Sequence, residues 1–518
     1  MNRNKKSYDD RSHGIWPKFT IFGLLFLSQL GIFWLAGNYV KEYVGFMLTL
    51  IPFIEFFAFI YIINDSSNPM YKLAWVFLIL SMPFFGIFIY LLATFDVKQK
   101  KMRQRFSTMK NRYQPLYQGL GDPGIKEEIR AQDPLVARTI TYLEKTGNFP
   151  VYRAQDVIYH EDGAVHFDDM LEELKKAEKF IFLEYFILSD GFMWQTILEI
   201  LKEKVKKGVE VRILIDGMQA FINLPVEFPL MMREEGIDVR LFSPMKPILS
   251  FYQNHRDHRK IMVIDGEVAY TGGLNIADEY INKKERFGYW KDTAVKVTGN
   301  AVDSFTLMFL EVWNALEGGQ LEEKYLRRTF SKARNQGYVI PYFDMPSYDG
   351  ETKGKQVYLD IINQARDYIY IMTPYLIIDY EILSSLQYAA RSGVDVKIIL
   401  PHIPDKPWVF YTTRTFYREL LEAGAQVYEY LPGFLHAKTF VSDSIKAVVG
   451  TINMDYRSFY LQLECGAYFY KTPVSQELER DFLETLELSK LITMETVDKF
   501  PFHQRVIGRL MRLIAPLL

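Results

Sequence analysis

The sequence predicts an α/β protein made of two similar halves in a pseudo-twofold pair, preceded by an α-helical transmembrane anchor. Three observations support this fold class. The first hundred residues contain three almost purely apolar runs. From about residue 145, apolar strand candidates alternate with amphipathic helix candidates, which is typical of α/β layers. Sequence segments of this region recur in similar form later in the chain, which indicates that one α/β unit is duplicated.

The apolar runs cover residues 19–36, 43–63 and 73–93. The third run has 21 residues, which is about 32 Å of helix and matches a bilayer core. A secretory signal peptide would explain one such run but not three. The first run contains Gln29 and is barely long enough to span. We therefore expect residues 1–97 to form a membrane anchor with two or three transmembrane helices.

Basic residues flank this anchor on both sides and predict its topology, because Lys and Arg favour the cytoplasmic side. With two spans, both flanks lie in the cytoplasm. With three spans only one flank can lie there, and we expect it to be the more basic one, which follows the anchor. Either way we expect a multi-pass protein of the cell membrane with cytoplasmic α/β halves, joined by a basic juxtamembrane linker at 98–144. The basic residues are Arg3, Lys5, Lys6, Arg11 and Lys18 before the anchor and Lys98, Lys100, Lys101, Arg103, Arg105, Lys110 and Arg112 after it.

Two pairs of phrases define the repeat. KKGVEVRILID (206–216) aligns with RSGVDVKIILP (391–401), and EEGIDVRLFSP (234–244) aligns with EAGAQVYEYLP (422–432). In each copy a strand is followed by a helix, a capping glycine and a second strand. This order predicts a mostly parallel sheet in each copy.

The repeat places half 1 at residues 145–325 and half 2 at residues 326–518. The second half ends in a short basic and apolar helix candidate, Arg505–Leu518. Such a helix could lie on an anionic membrane. We expect it instead to pack against the α/β body.

Each half ends in the same constellation of polar residues. The first copy contains His258, Lys260, Asp265, Gly272-Gly273 and Asn275, and the second contains His436, Lys438, Asp443, Gly450-Thr451 and Asn453. In both copies the lysine follows the histidine by two residues and the asparagine follows it by seventeen. A single HxK is usually a surface pair, whereas two copies in register inside a longer repeat indicate a functional site.

The spacing groups chemically useful side chains. Residues i and i+2 of a strand point to one face, so the histidine and lysine of each motif share a face. The turn dipeptide Asp265-Gly266 reverses the chain, and the following glycine pair allows the backbone to approach a ligand closely. Paired lysines and asparagines suit the oxygens of a phosphate diester. Two histidines can divide the work, one attacking phosphorus and the other protonating the leaving alkoxide.

The carboxylates near the motifs fall into two groups. Asp265 and Asp443 lie seven residues from their own histidines, about 23 Å along a strand, so geometry favours a structural role in the turns. A histidine nucleophile still needs a carboxylate on its other ring nitrogen. Glu464 after the second motif and Asp292 after the first are the best candidates, and Glu464 could serve either histidine. Glu184 is a weaker third candidate.

Composition excludes several function classes. A net charge of −2 gives no basic footprint for nucleic acid. The single cysteine, Cys465, excludes an internal disulfide framework and a cysteine-based zinc site. Metal binding by the motif histidines is disfavoured, because a lysine ammonium beside each histidine would repel a cation. We therefore expect no metal and no other cofactor.

The two motifs resemble the signature of the phospholipase D superfamily over roughly residues 145–475. PGFLHAKTFVSD followed by GTINMDYRSFYLQLE is similar to the second motif of bacterial cardiolipin synthases, and NHRDHRKIMVIDG, GGLNIADEY and YWKDT are similar to their first. The stretch YKLAWVFLILSMPFFGIFIYLL also resembles the membrane anchor of that family. The chain departs from the pattern at Lys291, where arginine is expected, and in its extra apolar run 19–36.

The resemblance implies two phospholipase D-like halves and a reversible transphosphatidylation, in which two phosphatidylglycerols become cardiolipin and glycerol through a phosphohistidine. Family analogy favours His258 as nucleophile and His436 as acid/base. The implied catalytic set is His258, Lys260, Asp265, His436, Lys438 and Asp443, with Asn275, Asn453, Glu464 and Asp292 binding phosphate or orienting the histidines. The implied partners are phosphatidylglycerol and the membrane, without nucleic acid, and the oligomeric state stays open.

Rival functions differ in what accepts the phosphatidyl group. In a phospholipase D, water replaces the lipid alcohol and the product is phosphatidic acid, because acceptor choice depends on how well the site excludes water. A related transferase would use another alcohol. A nuclease of the same superfamily is disfavoured by the apolar runs and the neutral overall charge, and a non-catalytic scaffold by the two intact motifs.

Overall fold

The computed structural model describes most of the chain. The described residues are 24, 27–31, 34–35, 38, 41–65, 67–94, 97–121, 123–245, 254–327 and 336–517. They divide into two compact units, Met1–Asp96 with Pro516–Leu518, and Val97–Ala515. The predicted apolar run 19–36 lies largely outside the described residues.

The first unit is helical. Helix Lys41–Ile63 covers the second apolar run. The expectation of one continuous helix over 73–93 is wrong, because the structure has two helices there, Pro69–Ser81 and Pro83–Thr94. Proline lacks an N–H group and disfavours helical backbone in the residue before it, and Met82 accordingly has φ −143° and ψ 73°. Within the described part of the chain, no helix combines the length and apolarity needed to cross a membrane.

The second unit alternates strands and helices. Its strands are β1 (Tyr152–Arg153), β2 (Val157–His160), β3 (Phe180–Tyr185), β4 (Glu210–Asp216), β5 (Asp238–Phe242), β6 (Lys260–Ile264), β7 (Val268–Gly272), β8 (Tyr289–Lys291), β9 (Ala294–Thr298), β10 (Tyr338–Asp344), β11 (Tyr368–Met372), β12 (Leu376–Ile377), β13 (Asp395–Pro401), β14 (Gln426–Tyr430), β15 (Gly433–Leu435), β16 (Thr439–Ser442), β17 (Lys446–Gly450), β18 (Met454–Asp455), β19 (Glu464–Tyr470) and β20 (Ser489–Ile492). Its α-helices are Val97–Gln118, Pro123–Gln132, Pro134–Gly147, Gly163–Lys176, Phe192–Lys206, Gly217–Asn223, Phe228–Glu234, Val302–Glu317, Pro346–Asp349, Lys353–Gln364, Tyr380–Arg391, Pro407–Arg414, Tyr417–Leu421, Tyr456–Tyr460, Pro473–Glu487, Met494–Asp498 and Phe502–Ile514.

Two large sheets repeat the same strand order. The first sheet has seven strands in the order β2-β9-β7-β6-β3-β4-β5. The second has nine, in the order β1-β10-β19-β17-β16-β11-β13-β14-β20. The segment from β9 to β5 corresponds strand for strand to the segment from β19 to β14. The predicted α/β fold with a duplicated unit is therefore confirmed.

The expectation of mostly parallel sheets is wrong. Three adjacent strands on one side of each motif hairpin are parallel, β3 to β5 in the first sheet and β11, β13 and β14 in the second. The motif hairpins β6–β7 and β16–β17 join these strands antiparallel, as do the strands beyond them. A tight turn reverses the chain, whereas a parallel pair needs a crossover helix, so a sheet that receives a hairpin becomes mixed.

The segment 98–144, expected as a linker, folds within the second unit. Its first helix, Val97–Gln118, contacts helix Val302–Glu317. Asn314 Nδ2 donates to the Tyr113 hydroxyl at 2.7 Å, which joins the two helices in a buried contact. At the other end of the chain, helix Phe502–Ile514 packs on helix Pro407–Arg414, as we expected for the C-terminal segment.

Asp265 and Asp443 tie each motif hairpin to the neighbouring central strand. Their backbones have φ 56° and 55°, in the left-handed region that Asp tolerates in turns. Each carboxylate accepts hydrogen bonds from three consecutive backbone N–H groups. The donors are Glu178, Lys179 and Phe180 at 2.7 Å for Asp265, and Arg366, Asp367 and Tyr368 at 3.0 Å for Asp443. Both aspartates thus lie at the end of the motif strand that is remote from the histidine.

We predict that Asp265→Asn lowers the free energy of unfolding by about 1–3 kcal/mol, because hydrogen bonds to a charged acceptor are the stronger kind. Asparagine keeps the turn backbone accessible and removes only the charge. Glu267→Gln, in the same hairpin with a side chain 50% exposed, is the matched control and should change stability by less than about 0.5 kcal/mol. Thermal unfolding measures both, and equal stability of the two variants would contradict the structural role.

Candidate active site

Two short backbone contacts place each motif histidine beside the other half. Strand β8 pairs in parallel with β15, and Asp257 forms an isolated parallel bridge with Leu463. The N–H group of His436 donates to the Lys291 carbonyl at 2.7 Å, and that of His258 donates to the Leu463 carbonyl at 2.9 Å. The residues after these two carbonyls are Asp292 and Glu464. Each histidine is therefore fixed next to a carboxylate that follows the motif of the opposite half.

The side chains complete these crossed pairs. His258 Nδ1 lies 3.0 Å from both carboxylate oxygens of Glu464, and His436 Nδ1 lies 2.6 Å from Asp292 Oδ2. The two carboxylates named from the sequence as histidine partners thus both contact a motif histidine. Glu184, the weaker candidate, forms an ion pair with Arg259 instead.

Glu464 is held by hydroxyl groups of its own half. Ser458 Oγ donates to Glu464 Oε1 at 2.7 Å, and Thr451 Oγ1 donates to Oε2. The carboxyl group is fully buried, and this burial raises the pKa of Glu464 to about 8 although Lys260 opposes the shift. Thr451 was named from the sequence as part of the second motif, whereas Ser458 was not. The available signal for Ser458 was the YRSFY segment that follows this motif.

Asp292 is held by the backbone around the first glycine pair. It accepts the Thr293 N–H group at 2.8 Å, and burial raises the pKa of Asp292 to about 6. A Cβ atom on Gly273 would lie 1.9 Å from Asp292 Oδ1. The glycine pair was expected to admit a ligand, but the structure shows that Gly273 makes room for this carboxylate. Its counterpart Thr451 instead donates a hydrogen bond to Glu464, the equivalent carboxylate of its own half.

Both motif histidines are buried, and burial favours their neutral form. Burial lowers the pKa of His258 well below its usual range, and Lys260 and Lys438 lower it further. Burial also lowers the pKa of His436, with Lys438 and Lys260 as the next causes. In the tautomer whose Nδ1–H donates to the partner carboxyl group, the Nε2 atom of the neutral imidazole carries the lone pair. Each histidine is thus prepared as a nucleophile or a base.

The two lysines act on both histidines, which indicates one site rather than two. Lys260 Nζ donates to the His258 carbonyl at 2.5 Å, and Lys438 Nζ lies 2.8 Å from His436 Nδ1. Burial lowers the pKa of Lys260 to about 8 and that of Lys438 to about 7. Two cations close together in a buried site suit the non-bridging oxygens of a phosphate group.

The two motif asparagines have different surroundings. Asn275 Oδ1 accepts the Ile187 N–H group at 2.9 Å, and its Nδ2 donates to the Tyr280 hydroxyl at 2.7 Å. Asn275 therefore holds the segment after β3. Asn453 is buried, and its Oδ1 has no hydrogen-bond partner in the described part of the chain. Only the second asparagine leaves this side-chain atom unengaged.

Aromatic rings surround the two motif histidines, and we did not predict this from the sequence. The ring centroids of Trp290, Tyr280 and Phe434 lie 5.3, 5.5 and 5.8 Å from that of His436. Phe186 lies 4.9 Å from His258 in an edge-on arrangement. These rings limit the access of water to the imidazoles. Trp290 belongs to the quoted YWKDT phrase, which was the available signal.

Among the residues described here, no group of three or more His, Cys, Asp or Glu side chains is placed to hold a metal ion. Positive charge next to the histidines comes from Lys260 and Lys438. The arrangement offers two imidazoles with oriented carboxylates and two cations. These are the parts that nucleophilic attack on a phosphate diester requires.

Family models match both halves. The model described as "Cardiolipin synthase, PLD-like domain" matches residues 170–302 and 358–486. A second model, described as "Phospholipase D-nuclease N-terminal", matches residues 56–93. Together the matched residues include both histidines and both partner carboxylates.

Curated relatives align with most of the chain. A cardiolipin synthase of Geobacillus sp. is 36% identical over 469 residues, covering 90% of this chain and 92% of the relative. A cardiolipin synthase of Alkalihalophilus pseudofirmus is 35% identical over 502 residues, covering 96% and 98%. An uncharacterized protein of Streptococcus mutans is 45% identical over 459 residues, covering 89% and 99%.

A solved structure supports the fold. The phosphatidylserine synthase of Haemophilus influenzae matches with a TM-score of 0.57 and 17% identity, over 74% of this chain and 99% of that protein. At this identity the likeness concerns the arrangement of strands and helices alone. It agrees with a duplicated α/β body.

We predict that anion binding at this site weakens as the pH rises. A lysine is cationic only below its pKa, so Lys438 loses its charge near pH 7 and Lys260 near pH 8. The affinity for sulfate, which stays a dianion in this range, should fall about tenfold or more between pH 6 and pH 9. Isothermal titration calorimetry measures the affinity.

The matched variant is Lys438→Arg, because arginine stays charged throughout this range. It should move the loss of affinity to the higher pH at which Lys260 titrates. An affinity that does not change with pH in the unmodified protein would contradict this electrostatic account.

Proposed function

Because this chain belongs to the cardiolipin synthase family of phospholipase D-like proteins, we propose that it transfers a phosphatidyl group between two phosphatidylglycerol molecules. The products are cardiolipin and glycerol. The observation that carries this proposal is the pair of crossed histidine–carboxylate contacts flanked by two buried lysines. The reaction exchanges one phosphodiester for another, so it needs no nucleotide.

In the first step, His258 Nε2 attacks the phosphorus of one phosphatidylglycerol, and the P–O bond to the glycerol head group breaks. His436 gives a proton to the leaving oxygen, so that glycerol departs neutral. An anionic phosphodiester favours protonation of His436, which offsets the effect of burial. Glu464 stabilises the positive charge that develops on His258, as a buried carboxylate does for a catalytic imidazole.

In the second step, the terminal hydroxyl of another phosphatidylglycerol attacks the phosphohistidine. His436, now neutral, takes the hydroxyl proton, and the P–N bond to His258 breaks. Lys260 and Lys438 neutralise the non-bridging oxygens in both steps. Asn453 is the motif asparagine with capacity left to contact the substrate, whereas Asp265 and Asp443 support the turns without contacting it.

Transfer to a lipid alcohol rather than to water depends on keeping the intermediate dry. Trp290, Tyr280 and Phe434 are buried around His436, the residue that would activate the acceptor. Two of the three relatives named above are cardiolipin synthases, which favours this function over hydrolysis to phosphatidic acid.

The chain's location is part of the same proposal. We place residues 1–97 in the cell membrane as a multi-pass anchor, with the α/β halves at 145–325 and 326–518 in the cytoplasm. Support comes from the apolar composition of this region and from the match of residues 56–93 to a phospholipase D N-terminal model. An anchored enzyme encounters its lipid substrate at a high effective concentration.

We predict that the purified full chain, reconstituted in vesicles of phosphatidylglycerol alone, forms cardiolipin and free glycerol in equal amounts. Mass spectrometry of the lipid and aqueous fractions measures both products. His258→Ala and His436→Ala are the controls, and each should reduce turnover at least about 1000-fold. Phosphatidic acid without cardiolipin would identify the hydrolytic alternative.

The roles of the two histidines can be separated with phosphatidyl-p-nitrophenol, whose leaving group departs without protonation. We predict that His436→Ala releases one equivalent of p-nitrophenolate per active chain in a burst and then stalls, because His258 is phosphorylated but no base activates the acceptor. His258→Ala should show no burst. Stopped-flow absorbance measures the release, and the opposite pattern would exchange the two roles.

A further inference from the structure

Half 1 carries a cluster of exposed apolar side chains, which we name patch 1. It follows the carboxyl ends of the parallel strands β4 and β5. Its members are Phe221, Ile222, Val226, Leu230, Met231 and Met245. Single exposed apolar residues are normal on a protein surface, but six of them between residues 221 and 245 indicate an interaction site.

Patch 1 begins close to the catalytic histidine of half 1. Asp216, at the end of β4, caps helix Gly217–Asn223 by accepting the N–H groups of Met218 and Gln219. The same carboxylate lies 3.3 Å from the N–H group of Asp257, the residue before His258. The patch therefore lies at the edge of the sheet that also carries the site.

A second exposed apolar stripe, patch 2, lies on helix Phe502–Ile514. Its members are Phe502, Val506, Ile507 and Leu510. The other side of this helix packs on the body, since a Cβ atom on Gly508 would lie 2.3 Å from the Tyr411 carbonyl. Arg505 and Arg509 are exposed beside the stripe. The helix thus combines an apolar outer face with positive charge.

The two patches occupy corresponding places in the two halves. Strand β4 corresponds to β13 in the repeated strand order. Patch 1 follows β4 directly, and patch 2 lies on the helix that covers Pro407–Arg414, the helix that follows β13. Each half therefore presents apolar surface beyond the carboxyl end of its second parallel strand, β4 or β13. In α/β sheets this is the edge at which ligands bind.

We propose that patches 1 and 2 rest together on the surface of an anionic lipid bilayer and hold the mouth of the site at the level of the lipid head groups. This inference rests on the proposed function, in which both substrates are bilayer lipids. Apolar side chains beside arginines are the composition of helices that lie in the interface of anionic membranes. A phosphatidylglycerol bilayer fits this chemistry, because it supplies both apolar depth and negative charge.

The chain offers a direct test because its single cysteine, Cys465, is buried. Cysteines introduced at Val226→Cys in patch 1 and Phe502→Cys in patch 2 can be labelled selectively with an environment-sensitive fluorophore. Tyr388→Cys is the matched control, since Tyr388 is 71% exposed and Phe502 75%. Tyr388 lies near the end of helix Tyr380–Arg391, towards the amino end of β13.

The labelled full-length chains are reconstituted in phosphatidylglycerol vesicles that contain doxyl-labelled lipid. We expect a blue-shifted emission with about twofold or greater quenching at Val226→Cys and Phe502→Cys, and neither change at Tyr388→Cys. Water-like emission at both patches would overturn the proposal and leave a protein partner or a second copy as the occupant. Equal quenching at all three positions would also overturn it, because contact would not be specific to this edge.

A kinetic measurement separates this inference from the proposed function. The double variant Val226→Ser/Leu230→Ser should lower the rate of the vesicle-anchored chain about tenfold, because its site no longer lies at the level of the head groups. Its turnover of short-chain, monomeric phosphatidylglycerol should match that of the unmodified protein. Unchanged vesicle kinetics would contradict the docking surface, whereas absence of transfer from the monomeric lipid by the unmodified protein would contradict the proposed function.

Discussion

The crossed contact between each motif histidine and a carboxylate of the opposite half is the constraint on which the site depends. His258 and His436 are placed by backbone hydrogen bonds to the carbonyls that precede Glu464 and Asp292. The same bonds that join the halves therefore orient the reactive rings. Neither half contains a complete site, which explains why the duplicated unit keeps both copies of its motif.

Burial sets the electrostatic character of this site. Four groups of the two motifs, His258, His436, Lys260 and Lys438, are almost fully enclosed, and burial lowers the pKa of each. The enclosed cations gain from an anionic ligand that water would otherwise screen. Substrate binding and activation are thus linked, because a phosphodiester brings negative charge next to both lysines.

The motif residues and their local roles could be predicted from the sequence. The contacts between distant segments could be predicted only in part. The duplication, the motif residues, the turn role of Asp265 and Asp443 and the candidate carboxylates followed from spacing and strand geometry. The crossing of the pairs did not, since Glu464 could serve either copy until the contact between Asp257 and Leu463 was known. We expected mostly parallel sheets because we did not consider that the Asp-Gly turn reverses the chain and makes the next strand antiparallel. The helix break at Met82 could have been predicted from Pro83, because proline disfavours helical backbone in the residue before it.

The central claim is that each carboxylate serves the histidine of the other half, and burst kinetics with phosphatidyl-p-nitrophenol test it most directly. If Glu464 serves His258 and His258 is the nucleophile that we propose, Glu464→Gln slows the burst at least about 100-fold. Asp292→Asn then retains the burst and impairs only the later transfer to the lipid alcohol. A burst that survives Glu464→Gln and is lost in Asp292→Asn would contradict the crossed arrangement.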